Sequence, residues 1–396
     1  MDSDQIPLRE LNSARRSDPL AAVLLMIGAA LRVPLLQAGR FHPDEALFAT
    51  LARLIVQGID PWLVETSLLV DKPPLFFYAL AAGVSLEWGS ELTARLPGFF
   101  AGMVSIALTM RIAMHLWPDR RAAHGAGVVM ALSPFTVLFS PTAFADPLMI
   151  MWWLAALAAA TGSSPQWLLA GLLMGASLAT KLNALVLLPL LLVVGLLVPG
   201  GNGPLPRHLL GFAAGLCLAA ALVALWDLAR PGVSFWAANL ANNDPGRLIR
   251  SGEILPRLLG WAGYARLIVG AVPLAAILTG GLVAVSITQP DDAVVWGLVA
   301  SMLGYGALLW LVAFPILDRY VLPLVPLCAL LCGWASTRIR VAPVVLTALM
   351  VPGALTAAQG GYPIGADRGA FDGIVEVTAC LSTEPPGTVV YHQALG

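Results

Sequence analysis

The chain has 396 residues, 58% of them hydrophobic and 11% charged, with a net charge of −1 and a mean hydropathy of +0.82. A water-soluble domain carries about 25% charged residues, so this chain cannot cover a water-facing surface, and its near-zero net charge excludes nucleic-acid binding through bulk charge. The four cysteines, Cys217, Cys328, Cys332 and Cys380, form no CxxC pair; three lie in apolar segments and read as small buried hydrophobes.

The chain opens on a polar leader, residues 1–18, with Arg15 and Arg16 and no convincing small-residue cleavage site, so the first apolar stretch reads as a span rather than a signal peptide. A helix needs about 20 apolar residues to cross the hydrocarbon core. That length predicts about eleven spans, at 19–36, 95–116, 122–140, 147–162, 165–180, 182–198, 209–226, 263–287, 294–314, 319–335 and 341–358, within a transmembrane region of 19–358. The expected fold is an all-α polytopic membrane protein. Arg15, Arg16, Arg120, Arg121, Arg207, Arg338 and Arg340 fall on one side, which the positive-inside rule makes cytoplasmic. The N-terminus is then cytoplasmic, and the loops 37–94 and 227–262 face outward. The stretch Pro73 to Trp88 is apolar but short. It reads as a partly inserted segment, because a crossing there would turn Arg120 and Arg121 outward and Asp146 inward.

This orientation gathers many cations outside, among them Arg40, Lys72, Arg95, Lys181, Arg230 and Arg319. Such an excess runs against the topology bias and points to anion binding. In the first outer loop, Pro43, Asp44 and Glu45 suit a helix N-terminus. Leu47, Leu51, Leu54 and Ile55 share one face of what reads as an amphipathic helix on the membrane surface. Asp44 and Glu45 either start that helix or hold a carboxylate at the mouth of a cavity. Being about 100° apart they diverge, so one is reactive and the other supportive. Lys72, pinned by Pro73 and Pro74, is a phosphate-facing cation or a snorkelling one. Asp146 caps the following helix or faces the same outer cavity. Lys181 marks a turn in a long apolar run, and Asp318, Arg319 and Tyr320 form an ionisable cluster at a helix mouth. The C-terminal segment 359–396 is polar. It reads as a short outer-facing segment, with one strand in GTVVYHQALG, that begins a small outer domain.

The ordered pieces PDEA at 43–46, DKPPLFFY at 71–78, ARLPGFFAG at 94–102, SPTAFADPLM at 140–149, GLLMGASLATKLNALVLLPL at 171–190 and RYVLPLVPL at 319–327 resemble the polytopic glycosyltransferases of the GT-C fold. The likeness is to the protein-mannosyltransferase and lipid A aminoarabinose-transferase branch and covers about 20–335. It implies a sugar carried on a polyprenyl phosphate (dolichyl or undecaprenyl) and transferred at the outer face of the cell membrane. The acceptor is a protein, lipid or glycan of undefined kind. The resemblance makes Asp44 catalytic with Glu45 beside it and Asp146 as the second acidic position. It sets Lys72, Arg319 and Tyr320 at the lipid phosphate, with Arg95 and Lys181 as further candidates. No cofactor is expected; Asp44 and Asp146 together could hold a divalent cation. A non-catalytic lipid-binding or assembly protein of the same fold, or a transporter, are the competing readings. A transporter would be expected to show matching interrupted halves and midplane charges, whereas these charges gather at outer helix ends.

Overall fold

The computed structural model describes residues 18–37, 41–64, 70, 72–86, 90–197, 204–242, 247–270, 279–281, 283, 292–362, 364 and 374–385. These are almost entirely helical, with short 3-10 turns and an isolated backbone bridge between Leu248 and Val312. The helices run α1 (Pro19–Leu36), α2 (Pro43–Val56), α3 (Pro74–Val84), α4 (Ser90–Leu116), α5 (Arg120–Leu132), α6 (Pro134–Phe139), α7 (Ala145–Thr161), α8 (Trp167–Thr180), α9 (Leu188–Leu197), α10 (Leu205–Ala229), α11 (Phe235–Asn242), α12 (Ile254–Ala265), α13 (Ala293–Leu311), α14 (Leu324–Arg338), α15 (Ala342–Ala358) and α16 (Ile374–Ser382). Among the described residues, five segments are long and apolar enough to cross a membrane, and α3, α7, α8, α15 and the run Leu182–Leu197 are shorter apolar helices. The protein is a multi-pass membrane protein. Helix occupies each expected span that falls among the described residues. The expected span 263–287 lies largely outside them, as do most of the leader, Arg40 and the expected C-terminal strand.

Polar contacts collect at two ends of the bundle. At one end the Asp18 carboxylate meets His124 Nε2 at 2.9 Å, and Trp117 Nε1 donates to Asp292 at 2.8 Å. Arg121 pairs with Asp119 there at 2.7 Å, and that hydrogen bond holds the Asp119 carboxyl below the usual carboxylate range. The other end carries α2, α3 and the ion pairs described below. An α3 of 11 residues reaches only about 16 Å at 1.5 Å per residue, half the hydrocarbon thickness. Tyr78 at its middle donates to the Pro61 carbonyl, while a Cβ at Gly83 near its end would fall on the Thr93 carbonyl at the start of α4. The aromatic pair Phe76 and Phe77 of α3 packs on Phe48 of α2, with ring centroids 5.0 and 6.0 Å away. The buried face of α2 is therefore centred on Phe48, Ala49, Leu51 and Ala52. Leu47, Leu54 and Ile55, expected to define the apolar face, flank it.

Two of the expected apolar runs are interrupted, each for a backbone reason. The run 122–140 breaks between α5 and α6, because Pro134 has no N–H to give to the Met130 carbonyl. In a bilayer such a carbonyl must find another donor. It finds two, the Thr136 hydroxyl at 2.8 Å and Arg32 of α1, wholly buried at 0% exposure. The Arg32 guanidinium donates to Met130 and Ala131 at 3.0 Å each, to Gly28 at 2.8 Å and to the Thr136 hydroxyl at 2.9 Å. A lone arginine inside an apolar helix was the available signal for this role. The second break is at Lys181, where α8 passes through a 3-10 turn, Leu182–Leu187, into α9.

Glycines set the closest helix approaches. A Cβ at Gly98 of α4 would fall on the Thr142 carbonyl, and one at Gly102 on the Ser140 hydroxyl, so α4 lies directly on the segment 140–144 that leads into α7. Across α8 and α10, Gly171 faces the Phe212 carbonyl and Gly215 the Leu168 carbonyl. Cys328 and Cys332 are buried as expected, but Cys217 lies on the exposed face of α10. That face also carries Leu218, Leu222 and Leu225 and suits lipid contact.

Replacing Arg32 by Met should destabilise the fold by about 1–3 kcal/mol, the cost of taking the guanidinium from the buried Ala131 carbonyl while Met130 keeps the Thr136 hydroxyl. Arg32→Lys should restore part of the loss, since one ammonium cannot span both carbonyls. Equilibrium unfolding in mixed detergent micelles, followed by tryptophan fluorescence, measures both; an unchanged Arg32→Met midpoint would refute this role.

Candidate functional site

The site begins at the N-terminus of α2. His42 and Glu45 cap each other's backbone: the Asp44 N–H donates to His42 Nδ1 at 3.2 Å, and the His42 N–H donates to the Glu45 carboxylate at 3.0 Å. Pro43 at the first helical position fixes the entry. The same Glu45 carboxylate, 4% exposed, receives a fork from Arg95 of α4. Nε reaches Oε1 and Nη2 reaches Oε2, each at 3.2 Å. The Ala143 N–H donates to Oε1 at 2.9 Å, and Arg95 also reaches the Leu36 carbonyl at the end of α1 at 3.3 Å. Glu45 and Arg95 thus join α1, α2, α4 and the approach to α7 around one buried ion pair.

Asp44, the next residue on the same turn, points elsewhere. Its side chain is 37% exposed and receives Arg319 Nη1 at 2.8 Å. Arg319 sits on the 3-10 turn Asp318–Val321 ahead of α14, and its guanidinium lies over the Phe144 ring, 5.0 Å from the centroid. That turn is held by Tyr305 of α13, whose hydroxyl donates to the Tyr320 carbonyl at 2.7 Å, and by Asp318, which accepts the Arg319 N–H at 2.7 Å.

Asp146 lies in the first turn of α7, and Lys181 follows the last turn of α8. The two helices are antiparallel neighbours, so residues 35 apart in sequence meet: Lys181 Nζ is 2.7 Å from Asp146 Oδ1, with both side chains under 10% exposed. Lys181 also lies 5.2 Å from the centre of the Tyr320 ring. Asp146 is close enough to Arg319, and Lys72 to Lys181, for their charges to interact. The residues singled out in the sequence therefore divide into two groups. Asp44, Lys72, Asp146, Lys181, Arg319 and Tyr320 converge on one end of the bundle, while Glu45 and Arg95 form the buried tie beneath Asp44. Asp44 and Asp146 each face a cationic side chain, Arg319 and Lys181, rather than each other.

The rim of the site is latched to α10. Arg230 Nη2 donates to the Leu63 carbonyl at 3.0 Å, and Leu63 takes a left-handed backbone with φ of 58°, a strained choice for leucine. Trp226 Nε1 donates to the Tyr78 hydroxyl at 2.9 Å. In the segment that follows α11, hydrogen bonds from Arg247 lower the Glu253 carboxyl to about 2. Sequence reasoning gave Arg230 no part beyond outward charge; Asp227, an acidic partner three residues earlier, was the signal.

The family described as dolichyl-phosphate-mannose-protein mannosyltransferase matches the chain over residues 71–226. The undecaprenyl phosphate-alpha-4-amino-4-deoxy-L-arabinose arabinosyl transferase of Erwinia tasmaniensis is 26% identical over 265 residues, covering 63% of this chain and 47% of that protein. The protein of the same name from Pseudomonas aeruginosa is 28% identical over 227 residues, covering 54% of this chain and 41% of that one. The chain spans about half the length of the curated relatives it matches. Among solved structures, ArnT from Cupriavidus metallidurans in the apo state superposes with a TM-score of 0.61 at 19% identity, over 81% of this chain and 59% of that one. ArnT bound to undecaprenyl phosphate gives 0.59 at 19% identity, over 81% and 60%. The Archaeoglobus fulgidus oligosaccharyltransferase gives 0.51 at 14% identity, over 95% and 59%. The shared helical architecture with these proteins gives the chain the GT-C fold that its ordered motifs resemble.

Proposed function

We propose that the chain is a membrane glycosyltransferase that moves a sugar from a polyprenyl-phosphate donor to an acceptor at the outer face of the membrane, with inversion. The observation that carries this reading is the convergence of Asp44, Lys72, Asp146, Lys181 and Arg319, drawn from distant segments, on one end of an apolar bundle. The names of the relatives support the donor class. Undecaprenyl phosphate is common to the arabinosyl transferases and to the ligand of the ArnT complex, and the matching family uses dolichyl-phosphate mannose. Polyprenyl phosphate is shared by all of them; the sugar is not.

The chemistry fits these side chains. The departing group is a phosphate diester becoming a monoester. It needs no proton, unlike the alcohol released by a glycosidase, and needs cations for its growing charge. Lys72 supplies a point charge and Arg319 a planar fork. The acceptor O–H needs a base, and Asp44 is the more exposed carboxylate, beside the proposed phosphate cation. Attack from the face opposite the phosphate inverts the anomeric carbon. Glu45 acts as a positioning residue, since its oxygens are already engaged by Arg95, His42 and Ala143.

Asp44→Asn should lower transfer at least a hundredfold, the usual scale for a lost general base, while the protein still inserts. Mass spectrometry of polyprenyl-phosphate sugars and of glycans, in cells with and without the protein, supplies the readout for pentose and hexose donors alike. Identical profiles in both would sink the proposal. Lys72→Ala should weaken donor binding and slow turnover.

Glu45→Ala should instead destabilise the whole protein, by roughly 3–5 kcal/mol, because it strands a buried guanidinium. Thermal unfolding measures this; a fully stable but inactive Glu45→Ala would make Glu45 catalytic.

The proposed orientation puts single cysteines at 59 and 252, in a cysteine-free background, within reach of a membrane-impermeant thiol reagent in intact cells. A cysteine at 118 should stay unlabelled, and the reverse pattern would invert the topology.

A further inference from the structure

Asp44 and Arg319, assigned above to the acceptor proton and to the donor phosphate, are hydrogen-bonded to each other. A carboxylate paired with a guanidinium is a poorer base than a free one, and a guanidinium paired with a carboxylate is partly occupied as an anion site. We propose that this contact is an exchangeable lock: the donor phosphate takes Arg319 from Asp44, and the base is released only when a donor is bound. The inference rests on the donor assignment proposed above.

The neighbouring ion pair shows what a permanent tie looks like in this fold. Glu45 and Arg95 are joined by a two-point fork, each side chain about 5% exposed, with a backbone N–H completing the carboxylate. Asp44 and Arg319 share one hydrogen bond, with side chains 37% and 16% exposed. A single-point pair with one partner open to solvent is held far less firmly than a buried two-point fork. Of the five N–H donors of a guanidinium, Arg319 spends one on a side chain among the described residues. Its plane is held by the Phe144 ring, so it can turn its other donors to a new anion without leaving its place. Lys181 and Lys72 lie on the same side and attract the same anion.

Charge gives the exchange a direction. The donor is a diester with one negative charge, matched against one on Asp44. As the bond from the anomeric carbon to the phosphate oxygen breaks, its electron pair stays on the phosphate. The product monoester carries a charge of about −1.5 to −2 at neutral pH. Arg319 is therefore drawn further from Asp44 as the reaction proceeds. Over the same interval the acceptor oxygen bonds to the anomeric carbon and its proton passes to Asp44. Asp44 is thus free of its guanidinium partner when the acceptor proton has to leave. Without a donor the base stays neutralised, which protects the site from deprotonating a stray acceptor.

The lock predicts that removing the catalytic carboxylate improves ligand binding. Binding of undecaprenyl phosphate, the monoester product, is measured on purified protein in lipid nanodiscs for wild type, Asp44→Asn, Asp44→Ala, Arg319→Ala and the Asp44→Ala/Arg319→Ala double variant. Asp44→Ala should tighten binding about three- to tenfold, and Asp44→Asn less, because its amide oxygen still accepts from Arg319. In the Arg319→Ala background Asp44→Ala should have little effect. Equal tightening in both backgrounds would mean simple repulsion between Asp44 and the phosphate, and no tightening in either would mean no competition; both outcomes overturn the lock. A wild-type protein that binds no undecaprenyl phosphate overturns the donor assignment itself. Unfolding midpoints of all variants exclude misfolding as the cause.

Discussion

The Glu45 carboxylate is the point on which the site depends. It lies among helices that bury most of their mass in an apolar medium, and an unpaired charge there would be too costly to keep. Four donors answer it: two from Arg95 and the N–H groups of His42 and Ala143. Because these come from α4, from the cap of α2 and from the approach to α7, satisfying one charge fixes three segments. Asp44 and Asp146 are one residue along α2 and three residues beyond Ala143, so both inherit that placement. The close approach of α4 to residues 140–144, which Gly98 and Gly102 permit, lets Arg95 reach across.

Arginine serves a second purpose in this bundle, as a donor for carbonyls that the helices themselves leave open. Arg32 supplies the α5–α6 break. Arg257 gathers the carbonyls of Leu309, Trp310, Val312 and Phe314 at the end of α13, between 2.7 and 3.2 Å. Arg230 holds the strained Leu63 carbonyl. A planar group with five donors suits this work better than an ammonium. The outward excess of cations in the sequence is therefore only partly about anions, since several are occupied by backbone.

Hydropathy made the helices legible, because the length of an apolar run and the bilayer set the same scale. Their interruptions were harder to read. Pro134 was visible, and Thr136 beside it supplies one compensating donor, but the other, Arg32, lies about a hundred residues earlier, and pairing over such a distance leaves no periodic trace. Asp44 and Glu45 could be told to diverge from helix geometry alone, yet which one was buried depended on Arg95, which lies 50 residues beyond Glu45 in another helix. Lys181 read as a turn marker because its run is apolar on both sides; its meeting with Asp146 follows only once α7 and α8 are known to be antiparallel. The apolar face of α2 was read correctly at Leu51 and too far to one side elsewhere, because Phe48 meets the aromatic pair of α3 while Leu47, Leu54 and Ile55 flank the buried face.

Arg32 has a further consequence at long range. Its hydrogen-bond partners among the described residues are carbonyls and a hydroxyl, so its positive charge is solvated by dipoles, with no carboxylate among those partners. It sits within the last turn or so of α1, the helix whose end Arg95 also touches. Mobile ions do not enter that interior, so the field it adds at the nearby end of the bundle is weakly screened by salt. A lipid-borne anion travelling within the bilayer would feel this field before it met any side chain of the site. The part of its attraction that comes from Arg32 should persist at ionic strengths that silence the exposed cations of the rim.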